Sequence, residues 1–285
     1  MRQKSSNGEA PHLGAPQSTE VHRQRVVQPR VFSRFRKPVG RIIPLALLGL
    51  IWVLVTEVGR VNPLFLPGPV LMWETFLDMA PRLPGAIRYS MTMLLTGFAV
   101  GTGAGILLGL AMAYSRAVRF AAESITEVIR PVPIFALIPL FILWFGVGLM
   151  PQIALVAFGC FVIVVVNTSE AIRNVKPLYM QAAYTLGATR GYAFRTVIVP
   201  AITPEIIGAV RVAAAASFGL DVAAEFLGAQ QGLGHLMITN QLYLRTEGIL
   251  IAIIIFSLLS LILDFLLRRG GDYLTRWSER SASQH

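Results

Sequence analysis

The sequence predicts an all-α membrane protein with six transmembrane helices, and three observations predict it. Hydrophobic residues make up 54% of the 285 positions and charged residues only 14%, a balance that leaves too little polar surface for a soluble fold of this length. The apolar residues fall into six runs of about 16–25 residues, the length needed to cross a hydrocarbon layer about 30 Å thick. The basic residues collect between the runs, and they do so unevenly. Nineteen Lys or Arg lie in the N-terminal tail, residues 114–123, residues 168–205 and the C-terminus, against four in residues 59–90, 146–152 and 228–246. The positive-inside rule then places both termini and the 168–205 interval in the cytoplasm.

Residues 1–41 are polar, hold nine Lys or Arg and read as a disordered cytoplasmic tail. Its length, and the lack of a small-residue cleavage pattern after the first apolar run, argue against a removed signal peptide. Residues 42–58 form the first span. The three prolines of 60–69 forbid a continuing helix, and residues 70–79 read as a short amphipathic helix on the membrane surface. The second span, 89–113, carries Gly97, Gly101, Gly105 and Gly109, one glycine per turn on one face, where a neighbouring helix can approach closely. Within it G-T-G-A-G has the look of a nucleotide loop, but it lacks the phosphate-binding lysine and sits in an apolar run, so helix packing is the better reading.

Residues 114–123 read as a short connection. The third span, 124–145, contains R-P-V-P at 130–133 and Pro139, so the helix must bend or break there. A tight turn at 146–151 leads to the fourth span, 152–167. After the basic interval, residues 205–227 form an alanine-rich fifth span, 228–245 a loop with a glycine turn, and 248–267 a clean sixth span. Residues 268–285 form a basic C-terminal tail.

Several classes of function are excluded. The net charge of +10 follows the membrane topology and does not point to nucleic acid. One cysteine, Cys160, lies within a span, and four scattered histidines have no ligand spacing, so no metal site is expected. Walker, H-E-x-x-H and G-x-S-x-G motifs are all missing, so the chain has no evident means of hydrolysing a nucleotide, peptide or ester by itself.

Arg130, Arg211, Asp221 and Glu225 are ionisable residues in or near spans, where a mid-bilayer charge costs on the order of 3 kcal/mol. Asp221 and Glu225 share a helix face one turn apart, and Arg211 lies about 15 Å away along the same helix. One reading makes them a polar translocation path, with Arg130 or Arg211 attracting an anion. The other lets Arg211 snorkel to the interface and Glu225 cap or pair structurally. The middle of the basic interval, 180–200, offers small residues at Ala182, Ala183, Gly187 and Ala188 with Tyr184, Tyr192 and Phe194 around them. It reads either as a partner-docking element or as an amphipathic connector, closed by Pro200.

The motifs resolve part of this. Gln181-Ala182-Ala183, three residues, Gly187, nine residues, then Val197-x-Val199-Pro200 resembles the E-A-A…G…I-x-L-P signature of ABC-importer permease subunits. R-P-V-P-x-x-A-x-x-P-L at 130–140, W-F-G-x-G at 144–148, P-L-F-L-P at 63–67 and A-A-E-F…G-L-G at 223–234 resemble the nitrate, taurine and aliphatic-sulfonate branch of that family. The resemblance covers residues 64–267. It implies a type I ABC importer permease fold in the bacterial inner membrane, over residues 42–267, with a cytoplasmic coupling helix at about 174–200. Gln181, Ala182, Ala183, Gly187, Ala188 and Pro200 are its expected ATPase-coupling residues. The implied partners are a second copy, two ATP-binding subunits, a periplasmic or lipid-anchored solute-binding protein and membrane lipid, with ATP and Mg held by the ATPase and no cofactor in this chain. Alternating access would move a small anion inward. Two departures stand out: Gln181 replaces the signature Glu, and Asp221 is an acid where a neutral residue is expected. The rival classes are a stand-alone secondary transporter or channel, which would use Asp221 and Glu225 as an ion site, and a membrane enzyme.

Overall fold

The computed structural model describes residues 36–274 apart from Arg60, and every regular element among them is helical. The expected tail over residues 1–35 lies outside the described residues, as does the chain beyond Leu274. Helix α1 (Arg36–Val53) starts inside the stretch expected to be tail. It continues as a π-helical turn, Leu54–Val58.

From residue 52 onward the order is α2 (Pro69–Met79), α3 (Leu83–Tyr114), α4 (Arg116–Ile129), α5 (Ile138–Phe145), α6 (Leu149–Asn174), α7 (Pro177–Thr185), α8 (Arg190–Ala193), α9 (Val199–Gly228), α10 (Leu233–Leu242) and α11 (Thr246–Leu274). Four stretches are long and apolar enough to cross a membrane: α3, α6, the continuous helix Arg190–Phe226 and Thr246–Tyr273. The bent pair Arg116–Ile129 and Ile134–Phe145 makes a fifth if it counts as one span. The remaining expected span, 42–58, corresponds to the shorter apolar helix Ala46–Val58.

The glycine stripe of α3 sets the bundle. A Cβ on Gly97 would lie 2.8 Å from Val156 Cβ, one on Gly105 2.9 Å from Val164 Cβ, and one on Gly109 3.0 Å from Thr168 Cβ. At Gly101 it would strike the carbonyl of Ala157, whose Cα would be 2.8 Å away. Bare Cα atoms over about 18 Å of α3 therefore lie against the backbone of α6. In lipid, where apolar burial between helices gains little, such close van der Waals packing is what holds two helices together.

The paired residue numbers rise together, and Tyr89 Oη donates to Gln152 Oε1 at 3.1 Å further up the same seam. Helices α3 and α6 are thus parallel neighbours, and residues 115–148 have to return the chain along their length. Helix α4 does little of this. It stays near the end where α3 finishes, with Glu123 accepting from Ser169 Oγ at 3.0 Å and Arg130 Nη2 3.5 Å from Glu170 Oε1. Then comes the break: Pro131 and Pro133 lack N–H groups, a 3₁₀ turn spans Ile134–Leu137, and the axis turns by 86°. Helix α5 makes the ascent, packing Ile138 and Phe141 against Leu155 and Ala224. The expected connection at 114–123 is therefore the first half of α4, capped by Ser115 Oγ, which accepts from Val118 N–H at 3.5 Å.

Helix α9 runs antiparallel to α6. Cys160 Sγ donates to the Ala213 carbonyl at 3.7 Å, and Leu220 fills the gap at Gly159. Helix α11 in turn runs antiparallel to α9, with Phe218 and Phe256 edge to face at 6.4 Å. Pro200 does not close a helix as expected. It stands in the first turn of α9, where a proline is tolerated, and a π-helical stretch, Phe194–Ile198, carries the helix straight through from α8.

The seam yields a test. Gly101→Ala is expected to force α3 from α6 and lower stability by roughly 1–3 kcal/mol, whereas Gly103→Ala, with open space at its Cβ, changes it little. Thermal unfolding of the detergent-solubilised variants measures the difference.

Candidate functional site

The bundle has two contrasting ends. At one, α3 finishes, α6 finishes, α9 begins and α7–α8 cross. Helix α7 starts with Pro177 in its first turn and ends in a Schellman turn: Ala188 N–H donates to the Ala183 carbonyl at 3.0 Å and Gly187 N–H to the Tyr184 carbonyl at 2.9 Å. Gly187 sits at φ +82° with open space around its missing Cβ. An L-residue in that left-handed conformation costs about 1–2 kcal/mol, which is why glycine stands there. Thr189 Oγ1 then accepts from Tyr192 N–H at 3.4 Å and starts the next helix.

No residue of α7 is buried, and Leu178, Tyr179, Leu186 and Tyr192 are exposed, Leu186 by 87%. Ala182 and Gln181 lie on this open element, while Ala183 and Ala188 are half-buried at the turn. Helix α7 and the turn after it thus leave a set of apolar side chains uncovered.

At the other end the chain is pinned. The glycine turn expected in a loop at 228–245 opens helix α10, and the N–H groups of the first three residues of that helix have no intrahelical acceptor. Ser90 Oγ accepts from Leu233 N–H at 2.9 Å, and Glu225 Oε2 accepts from Gly234 N–H at 2.5 Å and His235 N–H at 3.3 Å. Ser90 Oγ itself donates to Glu225 Oε1 at 2.5 Å, so one carboxylate ties α3, α9 and α10 together while facing a helix N-terminus. Gly232, at φ +115°, and Gly234 leave room for it: a Cβ on Gly234 would lie 2.8 Å from Glu225 Cβ.

Asp221, one turn earlier on α9, is fully buried like Glu225, yet neither of its carboxyl oxygens has a hydrogen-bond partner among the described residues. Gln152 Nε2 is buried without a partner as well.

The four expected path residues do not form one cluster. Arg130 sits exposed beside Glu170, and Glu225 caps α10. Arg211 donates from Nε and Nη2 to Asp264 Oδ1 at 3.1 and 2.9 Å, and Arg268 Nη2 approaches Asp264 Oδ2 at 3.3 Å. Sequence reasoning passed over Asp264 because it treated the sixth span as clean, although a lone acid in an apolar run was signal enough. Ser90 and Glu170 carried no local signal. Among the described residues, no group of three or more His, Cys, Asp or Glu could hold a metal.

The two buried acids are expected to respond in opposite ways. Glu225→Ala strands buried donors and should lower thermal stability by on the order of 1–3 kcal/mol. Asp221→Asn loses no hydrogen bond and removes a buried carboxyl that stands one turn from a second acid, so it leaves stability unchanged or raised. Parallel melts of the two purified variants check this.

Comparison with known proteins now bears on these features. Residues 101–269 match the family described as binding-protein-dependent transport system inner membrane component. The taurine transport system permease protein TauC of Escherichia coli (strain K12) is 30% identical over 256 residues, 86% of this chain and 93% of that protein. SsuC of Bacillus subtilis (strain 168), named for aliphatic sulfonates transport, is 29% identical over 240 residues, 84% of this chain and 87% of SsuC. In structure, the chain resembles a bacterial alginate ABC transporter with a TM-score of 0.56 at 16% identity, over 85% of this chain and 99% of that one, a likeness of fold. The chain belongs to the family of binding-protein-dependent transport inner-membrane components, as the membrane-spanning permease subunit of an ABC importer.

Proposed function

We propose that two copies of this chain form the membrane pathway of an importer for a small anion of the sulfonate, taurine or nitrate class. Two ATP-binding subunits dock, one on the α7–turn–α8 segment of each copy. The observation that carries the docking site is the Schellman turn at Gly187, which projects an uncovered apolar element from the end of the bundle where the basic residues collect. That charge bias supports placing this end, and both termini, in the cytoplasm, with six spans once α1 and the bent pair are counted.

ATP and Mg are held by the partner subunits, and this chain needs no cofactor of its own. Gln181, Ala182, Ala183, Gly187 and Ala188 form the contact. Pro200, in the first turn of α9, joins it to the span that lines the pathway. A periplasmic or lipid-anchored binding protein delivers solute at the opposite end. Closure of the ATPase dimer moves α7, and the continuous Arg190–Phe226 helix carries that motion to the spans, so that the cavity faces each side in turn. Of the residues placed on the path, Asp221 has no partner to give up, whereas Arg130, Arg211 and Glu225 exchange partners they now hold. The names of TauC and SsuC support the substrate class.

The test is reconstitution with the ATP-binding subunit and the loaded binding protein. Gly187→Glu should insert normally yet lose stimulated ATPase activity by about tenfold or more, the factor that corresponds to the backbone penalty at that φ. Stimulation at the wild-type level would sink the docking assignment.

A further inference from the structure

A basic cavity at the α7–α8 end lies beside the proposed docking segment and shares Gln181 and Tyr184 with it. It has a volume of about 380 Å³, and Arg116, Arg119, Arg190 and Tyr184 ring it over an apolar floor that includes Ile172 and Phe194. No acidic side chain lines it. Arg190 is held in place, donating from Nη2 to the Tyr114 carbonyl at 2.6 Å with its guanidinium 5.2 Å from the Tyr114 ring centroid. The side chains of Arg116 and Arg119 make no ion pair or hydrogen bond among the described residues, although Glu123 lies near enough for its charge to act on Arg119. The acid one turn along, Glu123, is already taken by Arg173 Nε at 3.2 Å and by Ser169. Three arginines line one hollow whose wall carries no acid, and an anion there relieves their mutual repulsion.

The position identifies the kind of anion. Arg116 is two residues beyond the end of α3, and Arg190 begins the continuous Arg190–Phe226 helix, so the ring stands where two spans leave the apolar layer. Helix α4, which carries Arg116 and Arg119, turns Phe120, Ile125 and Val128 outward, 61–76% exposed, as a helix lying in a membrane surface does. Toward the middle of the bundle, α3, α4 and α6 also bound an apolar groove of about 380 Å³ that includes Leu108, Ile125 and Val165. A free phosphate has no use for that surface, whereas a phospholipid carries both a phosphate and apolar chains.

We infer that the Arg116–Arg119–Arg190 cavity binds the phosphate headgroup of an anionic phospholipid, whose acyl chains lie along α4. Basic pockets between spans at the cytoplasmic face suit this chemistry, at about 1 kcal/mol per arginine near the surface.

The test uses the full chain in neutral detergent without ATPase, so it is independent of the docking proposal. Native mass spectrometry counts lipids retained from an equimolar mixture of phosphatidylglycerol and phosphatidylcholine. Wild type should retain phosphatidylglycerol in preference, and Arg116→Gln with Arg119→Gln should lower that preference about tenfold or more. Arg116→Lys with Arg119→Lys should stay within about threefold of wild type, because the charge is kept. Arg269→Gln, a basic residue at the same end but outside the cavity, should match wild type. Where the double glutamine variant does not fold, each single variant is expected to lose about three- to fivefold. An undiminished preference in the glutamine variants, or an equal loss in Arg269→Gln, overturns the site. Displacement of the lipid by millimolar inorganic phosphate identifies a free-anion site and overturns the lipid.

Discussion

The close approach of α3 to α6 is the constraint on which the rest depends. Glycines at 97, 101, 105 and 109 let two parallel helices meet backbone to side chain and, at Gly101 and Ala157, nearly backbone to backbone. Parallel neighbours cannot be joined by a short turn, so the chain between them has to travel back along the bundle. The α4–break–α5 path follows from that requirement, and the two prolines at 131 and 133 set where its corner falls. Helix α9 then packs along α6 in the opposite sense, and α11 along α9. The tight seam thus fixes which ends of the helices come together.

Those ends differ in how they are held. One is fastened by a single carboxylate: Glu225 gathers Ser90 from α3 and the first turn of α10, with two glycines making space for it. The other end carries a helix with no buried residue, a glycine turn and a ring of arginines. A permease pinned at one end and carrying free elements at the other can receive a push at the free end without losing its frame. Arg211, bound to Asp264, ties α9 to α11.

Much of this was legible because its causes are local. The glycine repeat on the second span and the proline-driven break at 130–133 each follow from the conformational limits of one or two residue types. What was hidden depends on distance in sequence. Helix α10 was expected as loop because its start is marked only by a glycine turn, and the acceptors that stabilise its first turn come from Ser90 and Glu225, far away or facing back. Pro200 suggested a stop because a proline after an apolar run usually follows a helix end, yet the π-helical turn before it makes it a first-turn residue. The coupling stretch was visible as a motif, but its shape, two helices hinged at Gly187, was not.

In the proposed function α7 meets an ATP-binding subunit. Site-directed cross-linking from Ala182→Cys in membranes holding both subunits tests it most directly, since the native Cys160 is fully buried and can be left in place. The account predicts an adduct with the ATP-binding subunit whose yield changes when ATP is added, and none from Thr246→Cys at the opposite end of the bundle. No adduct from Ala182→Cys while the two subunits still purify together, or an adduct from Thr246→Cys instead, would contradict it.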